Sequence, residues 1–322
     1  MLKRHNSYAN FIAIIKQMDK DKHSKRLSDY IDTLRVKPGS KILLKDDYST
    51  EANKEIITKE EAEELLQESL ETLSDLQEKL YAHNRYGVLI VLQAMDASGK
   101  DSMIKHVYSG LNPQGVRVTS FKQPSQEELD HDFLWRHHRA LPARGEIAIF
   151  NRSHYENVLI TRVHPEFILG EHLPGIQAVD DITKALWEKR YKQINGFEEV
   201  VAESGTLILK FFLYLSKKEQ KKRFLERLER KSKNWKFSAQ DVEERKQWHK
   251  YMEAYEDMLS ATSSDHAPWF VLPADNKWFT RLAMGMILNR ELQKLDIEYP
   301  SLPEDQQRDL KDIRAKLLAE ED

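Results

Sequence analysis

The fold is decided by Val88-Leu89-Ile90-Val91-Leu92-Gln93-Ala94-Met95-Asp96-Ala97-Ser98-Gly99-Lys100-Asp101-Ser102. Five consecutive apolar residues, three of them β-branched, read as a strand buried on both faces, the kind that pairs in parallel. The run empties into a tight loop ending in Gly-Lys, and Met103-Ile104-Lys105-His106-Val107-Tyr108 reads as the start of a helix. Strand, glycine loop, lysine and helix form a phosphate cradle: backbone N–H groups at the helix start point at the anion and the lysine neutralises it. The match to the usual loop, G-x-x-x-x-G-K-[ST], is imperfect. Ala94 stands where the first glycine belongs, and Asp101 where a hydroxyl ligand of magnesium belongs. Asp96 is an additional carboxylate. Beside bound phosphate it is repulsive unless a divalent cation lies between them, so it argues for magnesium.

Downstream of Tyr86 the pattern alternates. Strands are expected at Val88–Gln93, Val116–Phe121, Ile147–Phe150, Leu207–Leu215 and Trp269–Leu272, separated by helical stretches. That order predicts right-handed crossovers and a parallel sheet, hence an α/β, three-layer P-loop kinase fold with five strands. Residues 1–85 carry no strong strand and read as an N-terminal arm and helix packed on the core. Their main feature is a helix over Glu60–Tyr81, with Thr58 as N-cap and Glu61 as its capping-box partner. The kinase domain is expected over 86–298, with a helical lid at about 217–250 interrupting the last crossover. A charged helical tail follows at 299–322. The basic arm carrying Arg35, Lys37, Lys41 and Lys45 either extends an anion track or covers a subunit surface.

The third strand ends in Asn151-Arg152-Ser153-His154-Tyr155-Glu156. Ligands of open parallel sheets gather at the carboxyl ends of strands, which places Asn151 and Arg152 beside the phosphates held by Lys100. Arginine suits a transferring phosphoryl group because its planar fork binds two oxygens at once. An aspartate usually helps hold magnesium at the end of this strand. Asn151 supplies only a neutral oxygen, so Asp96 and Glu156 are the expected carboxylates; Glu156 serves equally well as a helix-capping partner of Ser153. After the second strand, Lys122 precedes Pro124 where nucleotide kinases often grip an acceptor phosphate. Asp132 and Arg136 are spaced i, i+4 and are either a surface ion pair or, with Arg136 on the acceptor phosphate, part of a nucleotide pocket. His137 and His138 are adjacent and share no helical face, so a zinc site is not expected.

Charge is nearly balanced overall, which excludes a global field for nucleic acid, but from Lys217 to Lys236 ten Lys or Arg face three acids. Such a run is either a solvated helix face or a lid that closes over phosphates; its density suits a long polyanion, with binding that weakens in salt. The chain has no cysteine, which excludes disulfides and thiol chemistry. It shows no leader and no span long enough for a bilayer, so a soluble cytoplasmic protein is expected.

Together these residues resemble the polyphosphate kinase 2 family, from about Leu34 to Arg290. The resemblance rests on Asp96-Ala97-Ser98-Gly99-Lys100, Phe150-Asn151-Arg152-Ser153, Arg162-Val163-His164-Pro165-Glu166 and Asn234-Trp235-Lys236-Phe237-Ser238. It implies a fold related to thymidylate kinase and Mg2+-dependent phosphoryl transfer between inorganic polyphosphate and a nucleotide. Asn151 and the Asn112-Pro113-Gln114-Gly115 run resemble the class III branch, which phosphorylates nucleoside mono- and diphosphates. On this resemblance Asp96, Lys100, Asn151 and Arg152 carry the chemistry, and Asp96 and Glu156 hold the metal. Ala97, Ser98, Gly99, Lys100, Asp101, Arg152, Arg162, Arg230, Lys233 and Lys236 bind phosphate or polyphosphate, while Lys122, Asp132 and Arg136 bind a purine nucleotide. It also implies a homo-oligomer, dimer or tetramer. An ATP-dependent nucleoside monophosphate kinase of the same fold and a non-enzymatic polyanion-binding protein are the alternatives.

Overall fold

The computed structural model describes residues 24–234 and 238–320. Five strands, β1 (Gly87–Ala94), β2 (Val116–Ser120), β3 (Ile147–Asn151), β4 (Thr206–Tyr214) and β5 (Trp269–Pro273), form one sheet in the order β2-β3-β1-β4-β5, all parallel. Each expected strand lies within about a residue of its observed bounds. The apolar run reads correctly because β1 is central, buried at every position and covered on both sides.

The two faces of β1 feed two cores. Val88, Ile90 and Leu92 pack with the long helix α1 (Lys59–His83), α2 (Lys100–Val107) and α7 (Lys277–Gln293). Leu89 and Val91 pack against α3 (Lys184–Glu203) and α6 (Trp248–Thr262). Helices therefore cover both faces, giving the three layers. Between β4 and α6 lie α4 (Lys217–Glu229), a short helix Lys231–Asn234 and α5 (Ala239–Lys246). Trp248, Tyr251 and Tyr255 of α6 are buried in the second core. The tail helix α8 (Glu304–Leu318) leaves Leu310, Ile313 and Leu317 exposed.

At the N-terminal side, Thr58 caps α1 with Glu61 in a reciprocal capping box. Upstream, the basic arm is less irregular than its composition suggests. Val36 N–H donates to Trp269 O (2.9 Å), and Val271 N–H donates to Leu34 O (2.8 Å). Leu34–Val36 thereby covers the open edge of β5 with an antiparallel bridge, an economical answer to an unpaired edge strand. Leu27, Ile31 and Leu34 belong to the same core as β1, so this arm is part of the sheet's packing.

Candidate active site

Parallel register brings the carboxyl ends of the three neighbouring strands level. Leu92 lies opposite Asn151, and Ser120 opposite Asn151 on the other side. The loop between β1 and α2 opens onto this edge. Gly99, at φ +106°, and Ala97, at φ +62°, take left-handed conformations that turn the backbone into a cup at the start of α2. Only glycine adopts that shape without strain; at Ala97 the conformation costs about 1–2 kcal/mol. Arg152 is also left-handed, at φ +63°, with its N–H donating to Leu92 O (3.1 Å). Two strained residues thus flank one cleft.

The cleft has a volume of about 720 Å³. Asp96, Ala97, Ser98, Gly99, Lys100 and Asp101 form its floor, Asn151 and Arg152 one wall, and Ser120 and Lys122 the far rim. Lys100 Nζ donates to Ala94 O (2.8 Å). Its enclosure, and next the neighbouring Arg152 guanidinium, pull its ammonium down from the usual lysine range to about 8. Arg152 Nη2 donates to Asp96 Oδ1 (3.0 Å), and Glu156 and Asp96 hold the guanidinium firmly protonated. Asn151 Nδ2 donates to Asp101 Oδ1 (3.1 Å), a bond an aspartate at 151 could not make while both acids were ionised.

Behind this wall lies a buried polar cluster. Lys210 Nζ, in mid-β4, donates to Glu198 Oε2 (2.5 Å), Tyr155 Oη (2.8 Å) and Thr262 O (2.6 Å). Tyr155 Oη donates to Glu198 Oε1 (2.7 Å), which His154 Nε2 also meets at 3.1 Å. All four side chains are inaccessible, and they pin the turn after Arg152 to the core. Burial works to raise the Glu198 carboxyl, but Lys210 and His154 outweigh it and hold it below the usual range.

Glu156 does not line the cleft. It stands behind Arg152, with Nη1 at 4.0 Å, and receives a bond at 3.0 Å from the Gln93 amide, whose oxygen accepts from Ser153 Oγ. Ser153 caps its turn through Tyr155 N–H rather than in a reciprocal pair with Glu156. The expected Asp132–Arg136 pair is not formed: Asp132 Oδ1 accepts from Leu134 N–H (2.9 Å), while Arg136 Nη1 donates to Lys122 O (2.9 Å) and Glu128 Oε2 (3.3 Å). Arg136 lines an adjoining cavity of about 510 Å³ together with Lys122, Trp135 and Arg139; Asp132 lines neither space. Arg162 is engaged by Asp257 (2.5 Å) and Tyr191 and is not among the residues that line the cleft. Arg230 is exposed at the end of α4, outside that lining. The Lys233 side chain and all of Lys236 lie outside the described residues. Among the described residues no three His, Asp or Glu converge on one metal position.

The lining also includes residues given no individual site role from sequence, among them Arg223, Glu226 and Arg227 of α4, and Lys277 at the start of α7. Lys277 follows the carboxyl end of β5, so the strand-end rule that located Arg152 could have found it. Arg223 and Arg227 were hidden inside a charge run, where nothing in composition says which cations turn inward.

Comparison with known proteins places this geometry. The family model for polyphosphate kinase 2 matches residues 56–300. An ADP-polyphosphate phosphotransferase of Rhodopseudomonas palustris is 48% identical over 284 residues, covering 88% of this chain and 97% of the relative. An AMP/ADP-polyphosphate phosphotransferase of Meiothermus ruber is 46% identical over 228 residues, 71% of this chain and 80% of that one. The crystal structure of polyphosphate kinase 2 from Arthrobacter aurescens superposes with a TM-score of 0.76 at 38% identity, covering 85% of this chain and 94% of that one. With a phosphate loop, a strand-end arginine and a lid on one cleft, and with these matches across most of its length, the chain belongs to the polyphosphate kinase 2 family.

Proposed function

We propose that this chain transfers phosphoryl groups between inorganic polyphosphate and adenine nucleotides, taking both AMP and ADP as acceptors, reversibly and with Mg2+. The observation that carries the reading is the convergence of Lys100 and Arg152 on one cleft, from two strand ends held level by register. Catalysis is then positioning and electrostatics, with no covalent enzyme intermediate. The loop from Ala97 to Asp101 cradles phosphate through its N–H groups. Lys100 and Arg152 stabilise charge on the transferring group. Arg227, which lines the cleft from α4, is the lid cation we add on the polyphosphate side; Arg230, Lys233 and Lys236 follow it in the sequence and suit the outer polyphosphate chain.

For the cation, the cleft floor offers hard oxygen donors in Asp96 and Asp101, with the Asn151 amide and Ser120 hydroxyl beside them. Mg2+ usually takes one or two carboxylates and completes its shell with water and substrate phosphates, so a floor without a preformed cage suits it. Held by Asp96 and Asp101, it would supply positive charge that offsets the charge of the phosphates. Asp96 and Asp101 are better placed to hold it than Glu156, which braces Arg152. On the acceptor side, Lys122 and Arg136 meet the nucleotide phosphate, with Asp132 shaping the loop that carries Arg136. The nucleotide substrates put the enzyme in the cytoplasm. Exposed Leu310, Ile313 and Leu317 at helical spacing support a homo-oligomer, dimer or tetramer, which sedimentation would test. No helix among the described residues is long and apolar enough to cross a membrane.

The deciding experiment is nucleotide analysis after incubating the protein with Mg2+, polyphosphate and either AMP or ADP, without ATP. Polyphosphate-dependent ADP and ATP are expected from AMP, and ATP from ADP. Reaction with ADP alone would remove AMP from the acceptor range and Asn151 from the argument for it. Transfer from ATP to a monophosphate without use of polyphosphate would make the chain an ordinary nucleotide kinase.

A further inference from the structure

Arg223 sits on the cleft lining, in the most cationic stretch of the chain, and looks like one more phosphate ligand. Its hydrogen bonds say otherwise. Nε donates to Glu219 Oε1 (2.9 Å), Nη1 to Ala97 O (3.2 Å) and Ser98 O (2.8 Å), and Nη2 to Ala274 O (2.7 Å) and Asp275 O (3.2 Å). Guanidinium has five N–H donors, and all five are used within the protein. The side chain is only 5% exposed. No donor remains for a substrate oxygen.

We propose that Arg223 is a positioning residue that shapes the phosphate loop and fixes the root of the lid to it. It collects the outward carbonyls of Ala97 and Ser98; Ser98 N–H closes the turn onto Met95 O (3.3 Å), and fixing the Ser98–Gly99 peptide turns the Gly99 N–H toward the cleft. Those carbonyls belong to the strained stretch around Ala97 and Gly99, whose conformation needs outside support. The same guanidinium clasps Ala274 and Asp275 just beyond β5, joining three segments that are distant in sequence. Neighbouring bonds repeat the pattern. Gln220 Nε2 donates to Asp96 O (3.0 Å), Ser216 N–H donates to Asp275 Oδ1 (2.8 Å), and Arg245 Nη1 donates to Gln220 Oε1 (2.7 Å). The first two turns of α4 therefore belong to the fixed core. Any lid movement is hinged beyond Arg223, and Arg227, one turn on, is the first α4 arginine able to answer to substrate.

This rests on reading the cleft as the phosphate site, but its first test does not need that reading. Amide hydrogen exchange on the free enzyme should show 220–223 protected far more strongly than 231–234, with tripolyphosphate altering exchange in the lid only beyond Arg223. Equal exchange across the two halves of the lid would overturn the proposal without touching the assigned activity. The second test compares substitutions. Arg223→Lys should lose nearly as much kcat as Arg223→Met, about a hundredfold, with faster exchange at residues 97–100, because a single ammonium cannot span both clasped segments. Recovery of wild-type kcat in Arg223→Lys, or a change confined to KM with loop exchange unaltered, would make Arg223 a substrate ligand. Should both Arg223 variants fail to fold, the exchange pattern of the wild-type enzyme decides alone.

Discussion

The two sides of the cleft carry similar charge on different foundations. Asn151 and Arg152 end a strand whose preceding four residues are all buried, and the Glu198–Lys210–Tyr155–His154 cluster stands behind them. Lys122 lies in the loop after β2 and Arg136 on the short helix Trp135–His138, with the short helix Gln126–Leu129 between them and much of the segment exposed. That side is anchored chiefly by Phe121, His137 and Ala140; His137 packs on the Phe121 ring at 4.3 Å. Its outer face is a stack in which His131 lies 4.0 Å from Trp135 and the Arg139 guanidinium 4.7 Å from the same ring. The contrast teaches where rigidity is needed. A transferring phosphoryl group tolerates little misplacement, whereas the two acceptors we propose, AMP and ADP, differ by one phosphate and call for a side that can adjust.

Breaking the foundation of the rigid side should have the largest effect. Lys210→Met leaves Glu198 buried without its cation, and an uncompensated buried charge costs about 3–5 kcal/mol. The midpoint of denaturant unfolding should fall accordingly. An unchanged midpoint would show that the cluster is no support at all. Next is Arg152→Ala, which should lower kcat about a thousandfold, the scale of losing a charge-stabilising group in a closed site. Its melting temperature should stay near wild type, since the Arg152 side chain is 41% exposed. Near-normal turnover would remove Arg152 from the chemistry. On the adjustable side the split should reverse: Arg136→Ala should raise the nucleotide KM about tenfold and leave the KM for polyphosphate alone. A fall in kcat with unchanged KM would make the two sides equivalent and end the comparison.

The same contrast governs what could be read in the chain. β1 and its loop are contiguous, and burial, phosphate binding and helix start all act on neighbouring residues, so Asp96 to Asp101 announce themselves. Asn151 and Arg152 become legible once β3 is placed, because parallel register levels the strand ends. Arg136 reads only as a cation near a proline turn; its real partners, Lys122 O and Glu128, are set by how two short helices fold back. Glu156 shows the opposite failure. Its spacing from Arg152 was legible, but whether it faced metal or guanidinium depended on Gln93 from another strand. Arg223 was least legible of all: nothing local says that four carbonyls from two distant segments meet at one side chain.

Lys100 sharpens the comparison through pH. Its ammonium titrates at about 8 in the free enzyme, because its enclosure and Arg152 disfavour the charge. A bound polyanion restores that charge and raises the value, so above about pH 8 binding must take up a proton. Affinity for polyphosphate should therefore be full below about pH 8 and fall above it, approaching tenfold per pH unit. Interior phosphates of a long chain stay fully ionised across this range, so the slope belongs to the protein. Nucleotide binding in the absence of polyphosphate should decline far less. Lys100→Arg keeps its charge throughout and should flatten the slope, whatever it does to turnover. Calorimetric titration from about pH 7 to about pH 9.5 would show it. An equal slope in Lys100→Arg would move the titrating group elsewhere, and a flat wild-type profile would mean that the loop holds Lys100 charged before substrate arrives.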